Sequence, residues 1–191
     1  MPIPPPSIGL TKAHATLIEA AAFLGGGLHG AMPASPRPIT GQLRAKVIGN
    51  GLRELDRFLN VMIDEVARLI APVAIDPARF AGQRNTANKL RLIRALMGLP
   101  SPDHGRLRAI GRSRDCLFHC IGIVRRGDRR HDRQMTAGWP PSNASEFAPG
   151  LTVAIGEPLD ILPIDLARVC RFYDRVAHDL AVATTRHLYR H

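Results

Sequence analysis

An arginine and a histidine five residues apart give this sequence its clearest chemical signal. Arg114 and His119 flank a short apolar stretch, and Asp115 directly follows the arginine. Imidazole exchanges protons near neutral pH, and a guanidinium binds phosphate oxygens through several N–H groups. Residues of these types at this spacing predict a site that binds a phosphate and moves a proton.

Helical spacing brings further charged groups to the histidine. At about 100° per residue, Asp115 and His119 are neighbours one turn apart on a helix. The carboxylate can then orient the imidazole and favour its charged form. Arg108 and Arg112 lie one and two turns earlier on the same side. They are expected to hold an anion over the ring.

Arg114 does not fit that side, because it falls within the apolar stripe of the same predicted helix. Three explanations remain open. In the first, the helix breaks at Gly111 and Ser113 caps a fresh start, so that Arg114 lies in a first turn whose free N–H groups attract phosphate. In the second, the stripe is an intersubunit surface with Arg114 at its centre. In the third, Arg114 reaches past its neighbours to solvent.

The stretch from Arg114 to His119 resembles the arginine-polar-x3-histidine motif of the HEPN superfamily. Members of that superfamily are helical bundles and typically dimers. Many are metal-independent ribonucleases of toxin–antitoxin, phage-defence and RNA-processing systems. The likeness covers the motif and, loosely, the helical region 40–188. Arg112 also has a suitable spacing to the histidine, but Ser113 is not the usual second residue of the motif.

The resemblance implies an endoribonuclease that needs no metal and no cofactor. RNA supplies the 2′-hydroxyl nucleophile, and His119 takes its proton or protonates the 5′-oxygen leaving group. Arg114 stabilises the charge of the transition state, while Asp115 holds the histidine or the partner motif. Because one histidine cannot easily be acid and base in one step, a homodimer with a second His119 is expected. The product is a 2′,3′-cyclic phosphate, and an antitoxin or inhibitor protein is a further expected partner.

The composition agrees with RNA as a partner. The chain of 191 residues has a net charge of +10, and of its 26 basic residues only three are lysines. Arginine's planar fork suits phosphate, although a genome that encodes arginine by default would produce the same bias. The predicted nucleic-acid-binding residues are Arg108, Arg112, Arg125, Arg126, Arg129 and Arg130.

Cysteine content and hydropathy predict a cytoplasmic protein. Cys116, Cys120 and Cys170 form no disulfide framework, which favours a reducing compartment. No run reaches the roughly 20 apolar residues of a membrane span, so no membrane partner is expected. No metal site is expected either, because the adjacent His119 and Cys120 diverge by about 100° on a helix. The cysteines are expected to pack as small apolar side chains.

Apolar residues recur at three- and four-residue steps along most of the chain, which is typical of amphipathic helices. With its glycine and proline breaks, the pattern predicts helices over residues 11–24, 41–71, 78–98, 103–125 and 165–188. Gly49 and Gly51 fall inside the second of these helices and indicate a close crossing with a neighbour. Asp165 is expected to cap the last helix.

The segment before the last helix has a different composition. Residues 126–150 are rich in charge and then in Pro, Ser and Gly, which predicts a loop. Two short β-like runs within residues 151–162, on either side of Gly156, predict a small hairpin. Trp139, in the loop, is expected to fill the hydrophobic core.

The predicted fold class is therefore all-α: a bundle of four to five helices with a small β-hairpin insert before the last helix. Residues 1–10 form a proline-rich arm. Residues 11–191 form one helical-bundle domain with a loop and hairpin excursion at 126–163. The leading functional hypothesis is a HEPN-like endoribonuclease that acts as a toxin or defence effector. The alternative is a non-catalytic helical module that binds a protein or nucleic acid.

Overall fold

The elements confirm an all-α bundle with a small hairpin before its last helix. The structure is a computed structural model, which describes residues 7–26, 41–70, 80, 82–83, 85–145 and 148–189. In chain order its elements are α1 (Ile8–Gly26), α2 (Gln42–Ile70), α3 (Thr86–Leu96), α4 (His104–His119), β1 (Gln134–Thr136), β2 (Thr152–Ala154) and α5 (Pro163–Leu188).

Helix α2 is the central element and packs against each of the other four helices. Its buried residues recur at three- and four-residue steps, and its bounds confirm the predicted helix to within one residue. Two of its glycines allow close approaches of neighbouring helices. A Cβ on Gly49 would lie 3.0 Å from the backbone nitrogen of Phe118 in α4, and one on Gly51 would lie 2.8 Å from Leu24 in α1. The predicted close crossing is therefore confirmed at two neighbouring helices.

Helix α4 differs from its prediction at both points that concern the candidate site. It runs without interruption through Gly111, so the proposed break is wrong. Ser113 caps nothing, because it is fully buried and its Oγ accepts a hydrogen bond from the N–H of Gly138 at 3.1 Å. The helix also ends at His119 and does not continue to residue 125, because Ile121 adopts a left-handed conformation with φ 56°.

Helix α3 begins later than the predicted residue 78. The Asn85 side chain accepts a hydrogen bond from the N–H of Asn88 at 3.2 Å, which caps the helix at that point. Residues 78, 79, 81 and 84 lie outside the described residues.

The first and last helices each begin at a different residue from the one predicted. Helix α1 begins at Ile8, where the Ser7 Oγ accepts a hydrogen bond from the N–H of Leu10 at 3.2 Å. Residues 8–10 are therefore helical and not part of an arm, and residues 1–6 lie outside the described residues. Asp165 lies in the first turn of α5, where its carboxylate accepts a hydrogen bond from the N–H of Leu162 at 3.0 Å. The helix begins at Pro163, two residues before the predicted cap.

The hairpin insert contains one strand that the sequence did not indicate. Strand β2 lies in the predicted hairpin region, but its antiparallel partner β1 comes from the predicted loop, with Met135 opposite Val153. A run of three residues is too short to show a clear alternation of apolar and polar side chains. Trp139, between the strands, is only 1% exposed and belongs to the core, which confirms its predicted place.

The contact between α1 and α5 contains a pair of histidines whose titration is expected to affect stability. The rings of His14 and His178 lie 6.3 Å apart. Burial lowers the pKa of His14 from its ordinary value of 6.5, the charge of His178 lowers it further, and Asp174 partly opposes both. The folded chain therefore binds this proton more weakly than the unfolded chain does. Stability from this site is present above pH 6.5 and is lost as the pH falls through the lower folded pKa.

We therefore expect the urea midpoint to fall between about pH 7.5 and about pH 5, and to fall less in His14→Gln. Circular dichroism at several pH values measures both profiles. Parallel profiles for the two proteins would contradict this assignment.

Candidate functional site

A cleft of about 580 Å³ lies between the C-terminal half of α4 and the chain that follows it. Charged and titratable side chains from both segments line it: Arg112, Asp115, His119, Cys120, Arg125 and Arg126. The two segments meet because the left-handed Ile121 and Gly122 end the helix and turn the chain. The early end of α4 thus brings two sequence-distant parts of the predicted site together.

Three basic side chains of the cleft form no hydrogen bond or ion pair in the described part of the chain. Arg125, Arg126 and His119 are exposed, and none of their side chains forms a hydrogen bond or ion pair with a described residue. The His119 ring lies nearly perpendicular to the ring of Phe118, with ring centroids 4.9 Å apart. These groups are therefore available to an anion that enters the cleft.

Arg112 reaches the cleft from α4 and is partly neutralised. Its Nε lies 2.8 Å from Oδ1 of Asp128, close enough for an ion pair, although the N–H does not point along that line. The two side chains are each 28% exposed. Asp128 therefore cancels one of the positive charges of the cleft and leaves those of Arg125 and Arg126.

The structure does not place Arg114 in this cleft. Its Nη1 donates a hydrogen bond to Asp56 of α2 at 3.0 Å, and its Nε and Nη2 donate to Asp115 at 3.0 and 2.9 Å. Arg114 therefore lies at the contact between α2 and α4 of one chain. This contact replaces the helix break and the simple reach to solvent as explanations for an arginine in the apolar stripe, while the intersubunit surface stays a prediction. Arg114 is connected to the cleft only through Asp115, which lines it.

Asp56 is the residue that the sequence reasoning missed. It lies on the buried side of α2, and the Tyr173 hydroxyl also donates to it at 3.4 Å. Burial raises the pKa of Asp56, against the lowering effects of Thr86, Arg114 and Tyr173. For Arg114, burial lowers the pKa, but Asp115 and Asp56 outweigh it and the pKa is raised. The sequence did contain a signal for this ion pair: Asp56 falls in the apolar stripe of α2, and Arg114 falls in the apolar stripe of α4.

The other predicted phosphate contacts lie outside the cleft. Arg108 is exposed on α4, near His104, whose pKa is lowered first by burial and then by Arg91 and Arg108. Arg129 and Arg130 are exposed in the loop that precedes β1. These three side chains can contact an extended polyanion but not one phosphate held beside His119.

Cys116 of α4 is a packing residue, whereas Cys120 follows the helix and is half-buried at the cleft. Cys116 is buried, and burial, followed by the nearby Cys120, raises its pKa to about 11. Within the described residues there is no group of three or more His, Cys, Asp or Glu side chains that could hold a metal ion. In the same part of the chain, no helix is both long and apolar enough to cross a membrane.

The fold and the cleft together define a helical-bundle protein with a basic cleft that contains a histidine. Comparison with known protein families, with curated proteins and with solved structures finds no match.

Proposed function

We propose that this protein binds RNA in the cleft and cleaves it as a HEPN-like, metal-independent endoribonuclease. The observation that carries the proposal is that His119, Arg125 and Arg126 line the same cleft, and that none of the three side chains forms a hydrogen bond or ion pair with a described residue. An imidazole that can move a proton thus lines the same cleft as two cations that can hold a phosphodiester.

The proposed reaction uses the 2′-hydroxyl of RNA as the nucleophile. Arg125 and Arg126 bind the phosphodiester oxygens and stabilise the added charge of the transition state. The 2′-oxygen bonds to phosphorus as the bond to the 5′-oxygen breaks, which yields a 2′,3′-cyclic phosphate and a 5′-hydroxyl. His119 either accepts the 2′ proton or gives a proton to the leaving oxygen. The other transfer falls to a second His119 in a homodimer, which is part of the proposal.

Arg114 has a different role in this proposal from the one that the motif implies. Because its guanidinium is bound by Asp56 and Asp115, charge stabilisation is assigned to the arginines that follow α4. Arg114 acts as a positioning residue, because it fixes the Asp115 carboxylate at the edge of the cleft, one helical turn from His119.

The biological role proposed with this activity is that of a cytoplasmic toxin or defence effector. A net charge of +10, supplied almost entirely by arginine, supports a polyanionic substrate. An antitoxin or inhibitor protein that covers the cleft is the further partner proposed.

Incubation of the purified protein with a short single-stranded RNA in EDTA tests the activity. We expect cleavage to fragments that end in a 2′,3′-cyclic phosphate, identified by mass spectrometry. The same sequence with 2′-O-methyl groups should bind but remain intact, because its nucleophile is blocked. RNA binding without cleavage of the unmodified strand would favour the non-catalytic alternative, and absence of both would refute the proposed function.

A further inference from the structure

The loop of residues 125–133, here called the arginine loop, is held against α4 by a single carboxylate. Asp128 Oδ1 accepts a hydrogen bond from the backbone N–H of Thr136 at 2.9 Å, and Oδ2 accepts one from the Thr136 hydroxyl at 2.6 Å. The same Oδ1 lies 2.8 Å from Nε of Arg112 on α4. We infer that Asp128 is a positioning residue, which keeps Arg125, Arg126 and Arg112 directed at the anion. The inference rests on the proposed function.

The backbone of the arginine loop folds back at Asp128. The Asp128 N–H donates to the carbonyl of Gln134 at 3.0 Å. Beyond it, the Arg129 N–H donates to the Asp132 carboxylate at 3.0 Å, and the Asp132 N–H donates to the carbonyl of Arg129 at 3.1 Å. A Cβ on Gly127 would overlap the backbone of Asp132, so the turn requires glycine there. The loop is therefore compact on the side that follows Asp128.

The other side of the two arginines is fixed by backbone hydrogen bonds alone. The Val124 N–H donates to the carbonyl of Glu157 at 3.0 Å, and the Gly156 N–H donates to the carbonyl of Val124 at 2.8 Å. Arg125 and Arg126 thus lie between one anchor made by the backbone and one made by the Asp128 side chain. Loss of the Asp128 carboxylate would therefore free the chain on one side of Arg125 and Arg126, and it would also remove the ion-pair partner of the Arg112 Nε.

The sign of the effect distinguishes positioning from simple electrostatics. A carboxylate beside a polyanion site repels the ligand, so its removal should tighten binding if charge were its only contribution. If Asp128 positions three arginines, its removal should weaken binding in spite of the gained positive charge. Glu157 provides a matched control, because it is an exposed acid at the opposite anchor of the two arginines and contributes only its backbone carbonyl to that anchor.

Fluorescence anisotropy with a labelled 2′-O-methyl RNA oligonucleotide measures these affinities over a range of salt concentrations. We expect Asp128→Ala to raise Kd about tenfold, as expected for one or two lost charge-assisted contacts. Its salt dependence should be shallower by about one to two in log–log slope. Asp128→Asn, which keeps contacts to Thr136, should be intermediate, while Glu157→Ala should bind as well as wild type or better.

Limited trypsin digestion tests the anchor without RNA. Cleavage in the arginine loop should be faster in Asp128→Ala than in wild type, while circular dichroism remains unchanged. Wild-type RNA affinity or wild-type trypsin resistance in both Asp128 variants would overturn the inference. A wild-type protein that binds no RNA, with faster digestion of Asp128→Ala, would instead refute the proposed function and leave the anchor in place.

Discussion

Replacement of His119 by alanine is expected to lower the rate of RNA cleavage by about 10²–10⁴-fold, the usual contribution of a general acid or base. The imidazole lines the cleft and forms no hydrogen bond or ion pair with a described residue, so under the proposed function its loss removes proton transfer at the cost of one ring contact with Phe118. Single-turnover cleavage at saturating RNA isolates this step from binding. The Kd for RNA should change much less, because Arg125 and Arg126 remain.

His178→Ala is the matched control for this experiment. His178 is also exposed but lies on α5, where its ring faces His14. It should cleave RNA at the wild-type rate. A His119→Ala protein with undiminished cleavage would show that the assigned group is wrong, even if the cleft still binds RNA.

Replacement of Arg114 by alanine is expected to reduce the free energy of unfolding by about 2–3 kcal/mol. Removal of one member of a buried ion pair costs roughly 3–5 kcal/mol, because the other charge is left without compensation. The lower value applies here because the Arg114 and Asp56 side chains are 25% and 18% exposed. Urea denaturation measures the loss, with Arg108→Ala, exposed on the same helix, as a control expected to change little.

The same variant distinguishes the motif from the observed contacts. If Arg114 stabilised the transition state directly, Arg114→Ala would abolish cleavage while stability stayed near that of wild type. The ion pair with Asp56 predicts the opposite result. Arg114→Ala should be less stable than wild type, but at a low temperature where it is folded it should cleave RNA faster than His119→Ala. Substitution of both partners, Arg114→Met with Asp56→Asn, should recover much of the lost stability, because no buried charge then remains unpaired and the amide oxygen still accepts from the Tyr173 hydroxyl.

The periodic helices could be predicted from sequence because their burial pattern is local. Helix α2 and the buried stripe of α5 follow directly from three- and four-residue spacing, and the glycines of α2 indicate its crossings. The end of α4 could not be predicted in this way. Ile121 is a β-branched residue in a left-handed conformation, which intrinsic preference disfavours, so tertiary contacts must impose it.

Only the part of the candidate site that lies on one helix could be predicted from the sequence. His119 and Asp115 are neighbours on one helix, so helical geometry alone relates them. Arg125 and Arg126 join them only because α4 ends early and the chain turns. The partner of Arg114 is 58 residues away in sequence, and neither charge pattern nor periodicity specifies which buried acid a buried base will meet.

Because α2 and α4 cross closely at Gly49, the geometry of the cleft also depends on a residue that does not line it. Any side chain at position 49 would force the backbone of Phe118 to give way by a few tenths of an ångström, and the next residue along the chain is His119. A saturation mutagenesis library scored on cleavage would therefore mark a buried glycine of another helix as intolerant, although it touches no substrate. Under the proposed function, glycine at position 49 would be required for cleavage through helix packing alone, without contact to the substrate.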